Sequence, residues 1–150
     1  MEKDDPEVTT PEIRALRKWL DSNDCTSHND LSIRSFSGTG RGVCSPFKDL
    51  ITDEVMFSIP IRLLMTCHSA LGSDIRDLIY TNFMVSGDLH PEDVLCLHLL
   101  RERYRGKDSF YFDYINTLPS RFYTPLTYTD AELSFVLPHR MGTIKKCQTE

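Results

Sequence analysis

The fold prediction starts from Ser37-Gly38-Thr39-Gly40-Arg41-Gly42-Val43, where a glycine stands at every second position from 38 to 42. The residues before it, Leu31 to Phe36, predict a half-buried strand, with apolar and polar side chains alternating from Leu31 to Arg34. The residues after Gly42 also read as a strand, so the segment predicts a glycine-rich β-hairpin. A hairpin backbone that carries no side chains can lie directly against a ligand.

Two better known glycine motifs do not fit this turn. A dinucleotide-binding loop requires Gly-x-Gly-x-x-Gly between a strand and a helix, and a Walker loop requires Gly-Lys followed by Ser or Thr. Neither pattern occurs around Gly38, Gly40 and Gly42. Taken alone, these glycines are therefore also compatible with a plain turn that binds nothing.

Helix and strand signals flank the hairpin on both sides. Thr9-Thr10-Pro11-Glu12 supplies hydroxyl caps and a first-turn proline, and the apolar residues that follow recur at helical spacing. Residues 21–30 are polar and predict a loop. Beyond the hairpin, Val55 to Ile59 predicts a strand that ends at Pro60, because proline cannot donate a ladder hydrogen bond.

The second half of the chain reads mainly as helix. Residues 63–80 predict a mixed, mostly helical segment, and Pro91-Glu92-Asp93 begins a stronger helix that Gly106 ends. Residues 94–100 of that helix are apolar nearly all round, which predicts that its first two turns are buried. A capping box at Thr129-Asp130-Ala131-Glu132 predicts a last short helix. A few short strands followed by helices predict an α+β fold.

Composition argues against several classes of partner. The chain has 17 basic and 22 acidic side chains, hence a formal net charge of -5, so we expect no direct nucleic-acid partner. Residues 1–6 lack the basic and apolar regions of a secretory signal. No apolar run approaches the roughly 18 residues of a membrane-spanning helix, so we expect no membrane partner.

The cysteines indicate a reducing compartment and no metal site. They are odd in number, widely spaced and without a Cys-x-x-Cys, at Cys25, Cys44, Cys67, Cys96 and Cys147. This pattern predicts neither a disulfide framework nor a zinc ribbon, and it is typical of the cytoplasm or the nucleus. The pairs Cys67-His68 and Cys96-x-His98 lack the grouping of zinc ligands, so core cysteines and one half-buried histidine are the expectation.

Three further groups admit a chemical interpretation and a structural one. A nucleophilic Cys44 would need a base and an orienting group, and the sequence points to neither. The aromatic residues between 110 and 128 could stack bases, but the acidic balance favours a packed surface. Arg101-Glu102-Arg103 is most simply the solvated face of a helix.

Three segments, taken together and in order, resemble one protein family. They are Ser37 to Val43, then Ile59-Pro60-Ile61-Arg62-Leu63-Leu64-Met65-Thr66, then Tyr114-Ile115-Asn116-Thr117-Leu118-Pro119. The family is the SET-domain protein methyltransferases of the Rubisco large-subunit methyltransferase type. Within it the chain is most similar to the group called SET domain-containing protein 4, and less similar to the actin-histidine methyltransferases. The resemblance covers residue 12 to about residue 138.

The resemblance implies a fold and a division of the chain. It implies the amino-terminal portion of a SET domain, a partial SET fold in which short β-strands and hairpins are followed by a helical insert. Residues 1–30 would form an amino-terminal helix and loop, and residues 31–138 the SET portion with its insert. Residues 139–150 depart from the family pattern and would form a divergent tail.

The resemblance also implies a cofactor and a protein substrate. Proteins of this family use S-adenosylmethionine, mostly for protein-lysine methylation, and the glycine hairpin helps to hold that cofactor. Carried over residue by residue, this role falls on Gly40, Arg41, Gly42, Val43 and Cys44. Some relatives have an arginine where this chain has Cys44, which is a departure at one cofactor contact.

Two motifs that the family places after these segments are not found in the sequence. They are an Asn-His pair that holds the cofactor and a tyrosine, usually followed by Gly, near the transferred methyl group; the chain contains no Asn-His and no Tyr-Gly. No catalytic residue is therefore predicted, and we expect a truncated, inactive form with weak or absent cofactor binding. The alternatives are a non-catalytic binding or regulatory fragment, or an incomplete gene product without a stable fold.

Overall fold

The architecture comes from a computed structural model that describes residues 9–28, 31–46, 49–86 and 90–135. These residues form an α+β fold, as the sequence predicts. The helices are α1 (Pro11–Asp21), α2 (Cys67–Leu71), α3 (Arg76–Ser86), α4 (Pro91–Arg105), α5 (Phe112–Ile115) and α6 (Asp130–Leu133). The strands are β1 (Thr26–Ser27), β2 (Ser32–Phe36), β3 (Gly40–Cys44) and β4 (Phe57–Ser58).

Helix α1 begins where its capping residues predict. The Oγ1 atom of Thr10 accepts a hydrogen bond from the backbone N–H of Ile13 at 3.4 Å, and Pro11 occupies the first turn. Ile13 is buried, with 2% of its surface exposed. Trp19, two turns further along, contacts the ring of Phe110 edge-on at 5.4 Å between centroids. These contacts hold α1 against the segment that carries α5.

The predicted glycine hairpin is present and antiparallel. Strands β2 and β3 pair from Ser32 opposite Cys44 to Phe36 opposite Gly40. Gly38 and Gly40 have φ angles of +80° and +81°, a region that residues with a Cβ rarely adopt. The three residues between the strands therefore depend on glycine to reverse the chain.

A second strand pair corrects the prediction of a continuous loop. Residues 21–30 were expected to be a loop, but Thr26–Ser27 pairs antiparallel with Phe57–Ser58. The strand expected from Val55 to Ile59 is reduced to those two residues. The reason is that both strands exist only through pairing with each other, and local composition does not record a partner about thirty positions away.

The predicted helical segment after residue 63 contains a 3₁₀ turn (Ile61–Leu63) followed by α2 and α3. Helix α2 begins with a capping box, in which Thr66 Oγ1 accepts from Ser69 N at 3.1 Å and Ser69 Oγ accepts from Thr66 N at 2.9 Å. The buried centre of this region is formed by Ala70, Ile75 and Ile79, with Leu71, Val94 and Leu97 packed against it. Helices α2, α3 and α4 thus share one small apolar core.

Helix α4 has the predicted ends but not the predicted burial. Asp93 accepts a hydrogen bond from His90 N at 3.1 Å, and Gly106, at φ +56°, ends the helix. Its first two turns were expected to be buried, yet Cys96 is exposed and Leu100 is 62% exposed. In α4 the buried residues are His98 and Glu102, one turn apart. The helix therefore buries one stripe, and that stripe carries polar groups.

The chain divides into two compact units, residues 1–117 and residues 118–150. In the second unit a 3₁₀ turn (Pro125–Thr127) precedes α6, whose capping box is the predicted one: Glu132 Oε2 accepts from Thr129 N at 2.7 Å. The predicted boundaries at residues 30 and 138, and the predicted tail 139–150, lie outside the described residues. Among the described helices none has the length and apolar character needed to cross a membrane.

Candidate functional site

The five residues predicted to hold a cofactor lie on two opposite faces of the hairpin. In an antiparallel pair, residues opposite each other share a face and successive residues alternate. One face therefore carries Arg41 and Val43, opposite Ser35 and Ile33. The other carries Gly40, Gly42 and Cys44, opposite Phe36, Arg34 and Ser32. No single surface of the hairpin presents all five side-chain positions.

The open part of the glycine face lies at the turn. Apart from the glycine itself and its two neighbours in the chain, no described atom lies within 4 Å of the place where a Cβ would stand at Gly38 or at Gly40. The backbone there is bare, and a ligand can approach it without displacing a side chain. This stretch fits the backbone contact that the sequence resemblance implies for S-adenosylmethionine.

Gly42 serves a different purpose, because the ring of Phe36 covers it. A Cβ at position 42 would lie 3.1 Å from Cε2 and 3.3 Å from Cδ2 of Phe36. A side chain at 42 would therefore require the ring of Phe36 to shift by a few tenths of an ångström. Sequence reasoning missed this role of Phe36, although the register signals it: a three-residue turn pairs Phe36 with Gly40 and leaves Gly42 diagonally beside it.

Cys44 lies at the far end of the same face. It is half-buried, and its Sγ is 3.5 Å from Ser32 Oγ, which also accepts a hydrogen bond from Arg34 Nε at 3.4 Å. In the described part of the chain, no cluster of three or more His, Cys, Asp or Glu could hold a metal ion.

Arg41 projects from the opposite face and is engaged with a distant segment. Its Nη2 donates a hydrogen bond to the carbonyl oxygen of Thr117, 76 residues later in the chain. Thr117 is 8% exposed and follows the end of α5. The backbone of Arg41 remains at the turn, but its guanidinium lies on the side away from the bare glycines.

Val43 lines a cavity of about 320 Å³ between α1 and the hairpin. Its partner Ile33 lines the same cavity, and Leu16 and Leu20 of α1 contribute apolar walls. Arg17, Asp21, Cys25, Ser27, His28, Leu31, Ser32 and Phe57 complete the lining. The volume is at the lower end of that of small-molecule sites, about 300–1,000 Å³. Val43 thus belongs to this cavity and not to the glycine face.

A titratable pair joins the loop after β1 to the segment before β4. His28 Nε2 lies 2.7 Å from Glu54 Oε1, and the other oxygen of Glu54 accepts a hydrogen bond from Ile51 N at 3.0 Å. A second cavity, of about 350 Å³, lies beside this pair and is lined by residues 26–28 and 55–57. The polar loop 21–30 gave no signal of this contact.

Helix α4 buries two titratable residues that sequence reasoning placed elsewhere. One histidine of the two Cys-His pairs was expected to be half-buried, but His98 is 2% exposed and His68 is exposed. Glu102, expected on a solvated face, is 3% exposed. Within the described residues, neither ring nitrogen of His98 has a hydrogen-bond partner. Burial lowers the pKa of His98, an effect that the negative charges of Glu102 and Asp74 partly oppose.

The carboxylate of Glu102 has the partners that His98 lacks. Ser109 Oγ donates to Glu102 Oε2 at 2.5 Å, and Arg105 Nη1 donates to Glu102 Oε1 at 3.3 Å. Ser109 Oγ in turn accepts from Tyr111 N at 3.0 Å. A hydrogen-bonded, charge-paired carboxylate can remain buried where a lone one could not.

Two other structural expectations need correction. The cysteines near these histidines are not core residues, since Cys67 is half-buried and Cys96 is exposed. The aromatic run was expected to pack together, but Tyr111 is buried while Phe122 and Tyr123 are 53% and 80% exposed. Tyr123 instead holds the guanidinium of Arg121 over its ring at 5.2 Å. The sequence pattern does not distinguish a core aromatic from one that covers an arginine at the surface.

Comparison with known proteins identifies relatives in sequence. No model of a known protein family matches the chain. It is 31% identical over 127 residues to SET domain-containing protein 4 of Artemia parthenogenetica, covering 85% of this chain and 30% of that protein. It is 30% identical over 130 residues to actin-histidine N-methyltransferase of Gallus gallus, covering 81% of this chain and 20% of that protein.

Comparison with solved structures identifies a shared fold. Rubisco LSMT bound to sinefungin and monomethyllysine matches with a TM-score of 0.76 at 21% identity, over 94% of this chain and 31% of that chain. Rubisco LSMT bound to AdoMet matches with a TM-score of 0.75 at 21% identity, over 92% of this chain and 31% of that chain. In both comparisons the chain spans less than a third of the length of the proteins it matches.

Proposed function

We propose a function from the family to which this chain belongs, the SET-domain methyltransferases. SET domain-containing protein 4 and actin-histidine N-methyltransferase are its relatives in sequence, and its fold matches part of Rubisco LSMT. The proposal is that it forms the amino-terminal part of an S-adenosylmethionine-dependent protein methyltransferase. Within that part, the turn of the β2–β3 hairpin supplies one wall of the cofactor site.

The observation that carries the proposal is the bare backbone at Gly38 and Gly40. Both residues have positive φ angles, and the described chain leaves the space beside them open. A ligand that approaches this turn meets peptide groups, which can bond to polar edges of a nucleoside or an amino-acid moiety. Of the five residues predicted for the site, Gly40 and the backbone of Arg41 fit this wall.

The remaining three predicted residues contribute differently. Gly42 allows Phe36 to pack, Val43 lines the cavity beneath α1, and Cys44 contacts Ser32. Gly42 thus acts beside the turn, Val43 on the opposite face and Cys44 at the far end of the hairpin. We therefore assign direct contact with the cofactor to the turn, and a supporting role to the strand after it.

We further propose that these 150 residues alone do not transfer a methyl group. Methyl transfer to an amine is an in-line displacement at the sulfonium carbon, and it requires alignment and dehydration of both partners. The sequence holds neither the Asn-His nor the Tyr-Gly pair of the related enzymes. Residues 37–40 of the turn are exposed and Phe36 beside them is 37% exposed, so the wall faces water.

A protein side chain is the proposed methyl acceptor, and lysine is the favoured one. The matching Rubisco LSMT structures include complexes described with lysine and with monomethyllysine. The relatives named for actin-histidine methylation make histidine the other acceptor to test. The cytoplasm or the nucleus is the proposed location, supported by four described cysteines that are all free.

Titration calorimetry with S-adenosylmethionine tests the binding proposal on the purified chain. A micromolar site corresponds to about -8 kcal/mol, and a single wall that lacks two or three polar anchors retains roughly millimolar affinity. We expect Gly40→Trp to abolish this binding and Gly40→Asn, which tolerates positive φ, to weaken it. Gly72→Ala, in the ordinary helical region, is the control and keeps the wild-type affinity. Equal affinity in the wild type and Gly40→Trp would remove the hairpin from the site.

Labelled S-adenosylmethionine tests the proposal about turnover. The chain is incubated with lysine-rich proteins and, in parallel, with actin as the histidine-containing acceptor. We expect incorporation at the level of the Gly40→Trp variant with both acceptors. Incorporation clearly above that level would show that these residues hold a complete catalytic centre.

The second candidate function is non-catalytic binding of a protein through α4. Leu100 and Tyr104 lie one turn apart on that helix and are 62% and 85% exposed. The guanidinium of Arg101 lies over the ring of Tyr104 at 5.8 Å from its centroid, which keeps the ring at the surface. A flat titration of the wild-type chain with S-adenosylmethionine would favour this second candidate.

A further inference from the structure

The side chain of Arg41 occupies an unusual position in the hairpin. Arg41 stands between Gly40 and Gly42, and glycine has the greatest backbone freedom of any residue. The bare turn that the proposed function assigns to the cofactor therefore has little stiffness of its own. A contact that holds the side chain of Arg41 in place therefore also restrains the peptide groups on either side of this residue.

The partner of Arg41 lies in the segment that carries α5. The acceptor is the carbonyl oxygen of Thr117, which follows the last turn of α5, where carbonyls lack partners within the helix. Thr117 is itself held, because its N–H and its Oγ1 both donate to the carbonyl of Tyr114, at 3.0 and 2.7 Å. A guanidinium bound to a fixed, nearly buried carbonyl is a firm anchor.

We propose that Arg41 is a positioning residue that ties the hairpin turn to the carboxyl end of α5, so that ordering of either element orders the other. This inference rests on the proposed function, in which the turn forms one wall of the cofactor site. In the family resemblance, the segment with α5 belongs to the helical insert that follows the strands. Cofactor contact at Gly40 and the arrangement of that insert are then linked through one side chain.

Hydrogen exchange of the full chain, without any ligand, tests the tie directly. The variants are Arg41→Met, which keeps an apolar stem of similar length, and Arg41→Lys, which keeps one charged donor. In Arg41→Met we expect exchange to accelerate roughly 10- to 100-fold at Thr39 N–H and Thr117 N–H, the range that one hydrogen bond from a charged donor supports. Arg41→Lys should restore part of the protection.

The amides of α4 are the internal reference for this experiment. They should exchange at the wild-type rate in both variants, because α4 is held by its own core of Ala70, Ile75 and Ile79. Unchanged exchange at Thr117 in Arg41→Met overturns the inference. An equal acceleration in α4 also overturns it, because that result shows a general loss of stability and no specific tie.

A second arm adds several millimolar S-adenosylmethionine and separates this inference from the proposed function. In the wild type we expect slower exchange at both Thr39 and Thr117, and in Arg41→Met slower exchange at Thr39 alone. Equal slowing of Thr117 in both proteins contradicts the linkage through Arg41. If no amide responds in either protein, the proposed cofactor site fails, while the arm without ligand still decides whether the tie exists.

Discussion

Phe36 lies across the backbone of Gly42, so that a Cβ at position 42 would stand 3.1 Å from Cε2 of the ring. Contacts this short force the ring or the strand to move. The hairpin therefore contains glycines of two kinds: Gly42 is small because a neighbour needs its space, and Gly40 is flexible because the turn needs a positive φ of 81°. The two kinds respond differently to substitution.

Gly42→Ala should lower the free energy of unfolding by about 1 kcal/mol, the low end of the range for overpacking, because the Phe36 ring is 37% exposed and can shift by the few tenths of an ångström that are needed. Urea unfolding followed by the fluorescence of Trp19, the single tryptophan, measures the change. In a Phe36→Leu background, the same substitution should lose at least half of its effect, because the atoms that clash are gone. An unchanged effect in that background would mean that Phe36 does not set the requirement at position 42.

Gly40→Ala should destabilise the chain by about 1–2 kcal/mol through backbone strain alone. Since no described atom beyond its two chain neighbours lies within 4 Å of a Cβ at position 40, Phe36→Leu should not relieve the loss. Gly40→Asn should lose less than Gly40→Ala, because asparagine tolerates positive φ. The same urea assay applies, and rescue of Gly40→Ala by Phe36→Leu would contradict the distinction between the two glycines.

Local signals predicted a large part of this fold, and nonlocal ones were missed. Thr10 with Pro11, the glycines of the turn, and Pro91 with Gly106 each mark a boundary through their own backbone chemistry. Strand β1 carries no such mark, because its partner is Phe57–Ser58. Residues 26–27 form a strand only because they pair with residues 57–58, so the local sequence around them does not predict it.

Ser109→Ala should lower the free energy of unfolding by about 1–3 kcal/mol. The substitution removes a donor from the buried carboxylate of Glu102 and an acceptor from Tyr111 N, and neither group is near water. Ser120→Ala, at an exposed serine, is the control and should change stability by less than about 0.5 kcal/mol. Equal effects of the two substitutions would show that Glu102 does not depend on Ser109.

Acid should destabilise the chain through His98. Burial lowers the pKa of this histidine below its ordinary 6.5, so the unfolded chain binds more protons than the folded one when the pH falls below that value. The contribution of His98 to stability is complete above about pH 7.5. This stabilisation decreases by up to about 1.4 kcal/mol per pH unit as the pH falls from 6.5 toward the pKa of His98 in the folded chain. Below that pKa the stability no longer changes through His98.

Urea midpoints between pH 5 and 8 measure this dependence. In His98→Leu the loss below the ordinary histidine pKa of 6.5 should shrink, because the titrating group is absent. His68→Asn, at an exposed histidine of α2, should keep the wild-type dependence. If His98→Leu follows the wild-type curve, the acid sensitivity originates in other groups.

The glycine hairpin that forms the candidate site could be predicted from the sequence, but the contacts of its side chains could not. Alternation along β3 is enough to place Arg41 and Gly40 on opposite faces once the register is known. The acceptor of Arg41, the carbonyl of Thr117, is a backbone atom, and every residue has one. Sequence patterns therefore do not mark such a partner. The burial of Glu102 likewise depends on Ser109, which lies seven residues later, beyond the end of α4.

The separation between the two short strands sets an order in which the chain can assemble during its synthesis. The β2–β3 hairpin needs only three residues to close and can form within microseconds of leaving the ribosome. Thr26 must wait for Ser58, 32 positions later, which at about 5–20 residues per second takes a few seconds. During that interval β1 has no partner strand, while both strands of the β2–β3 hairpin are already available to pair.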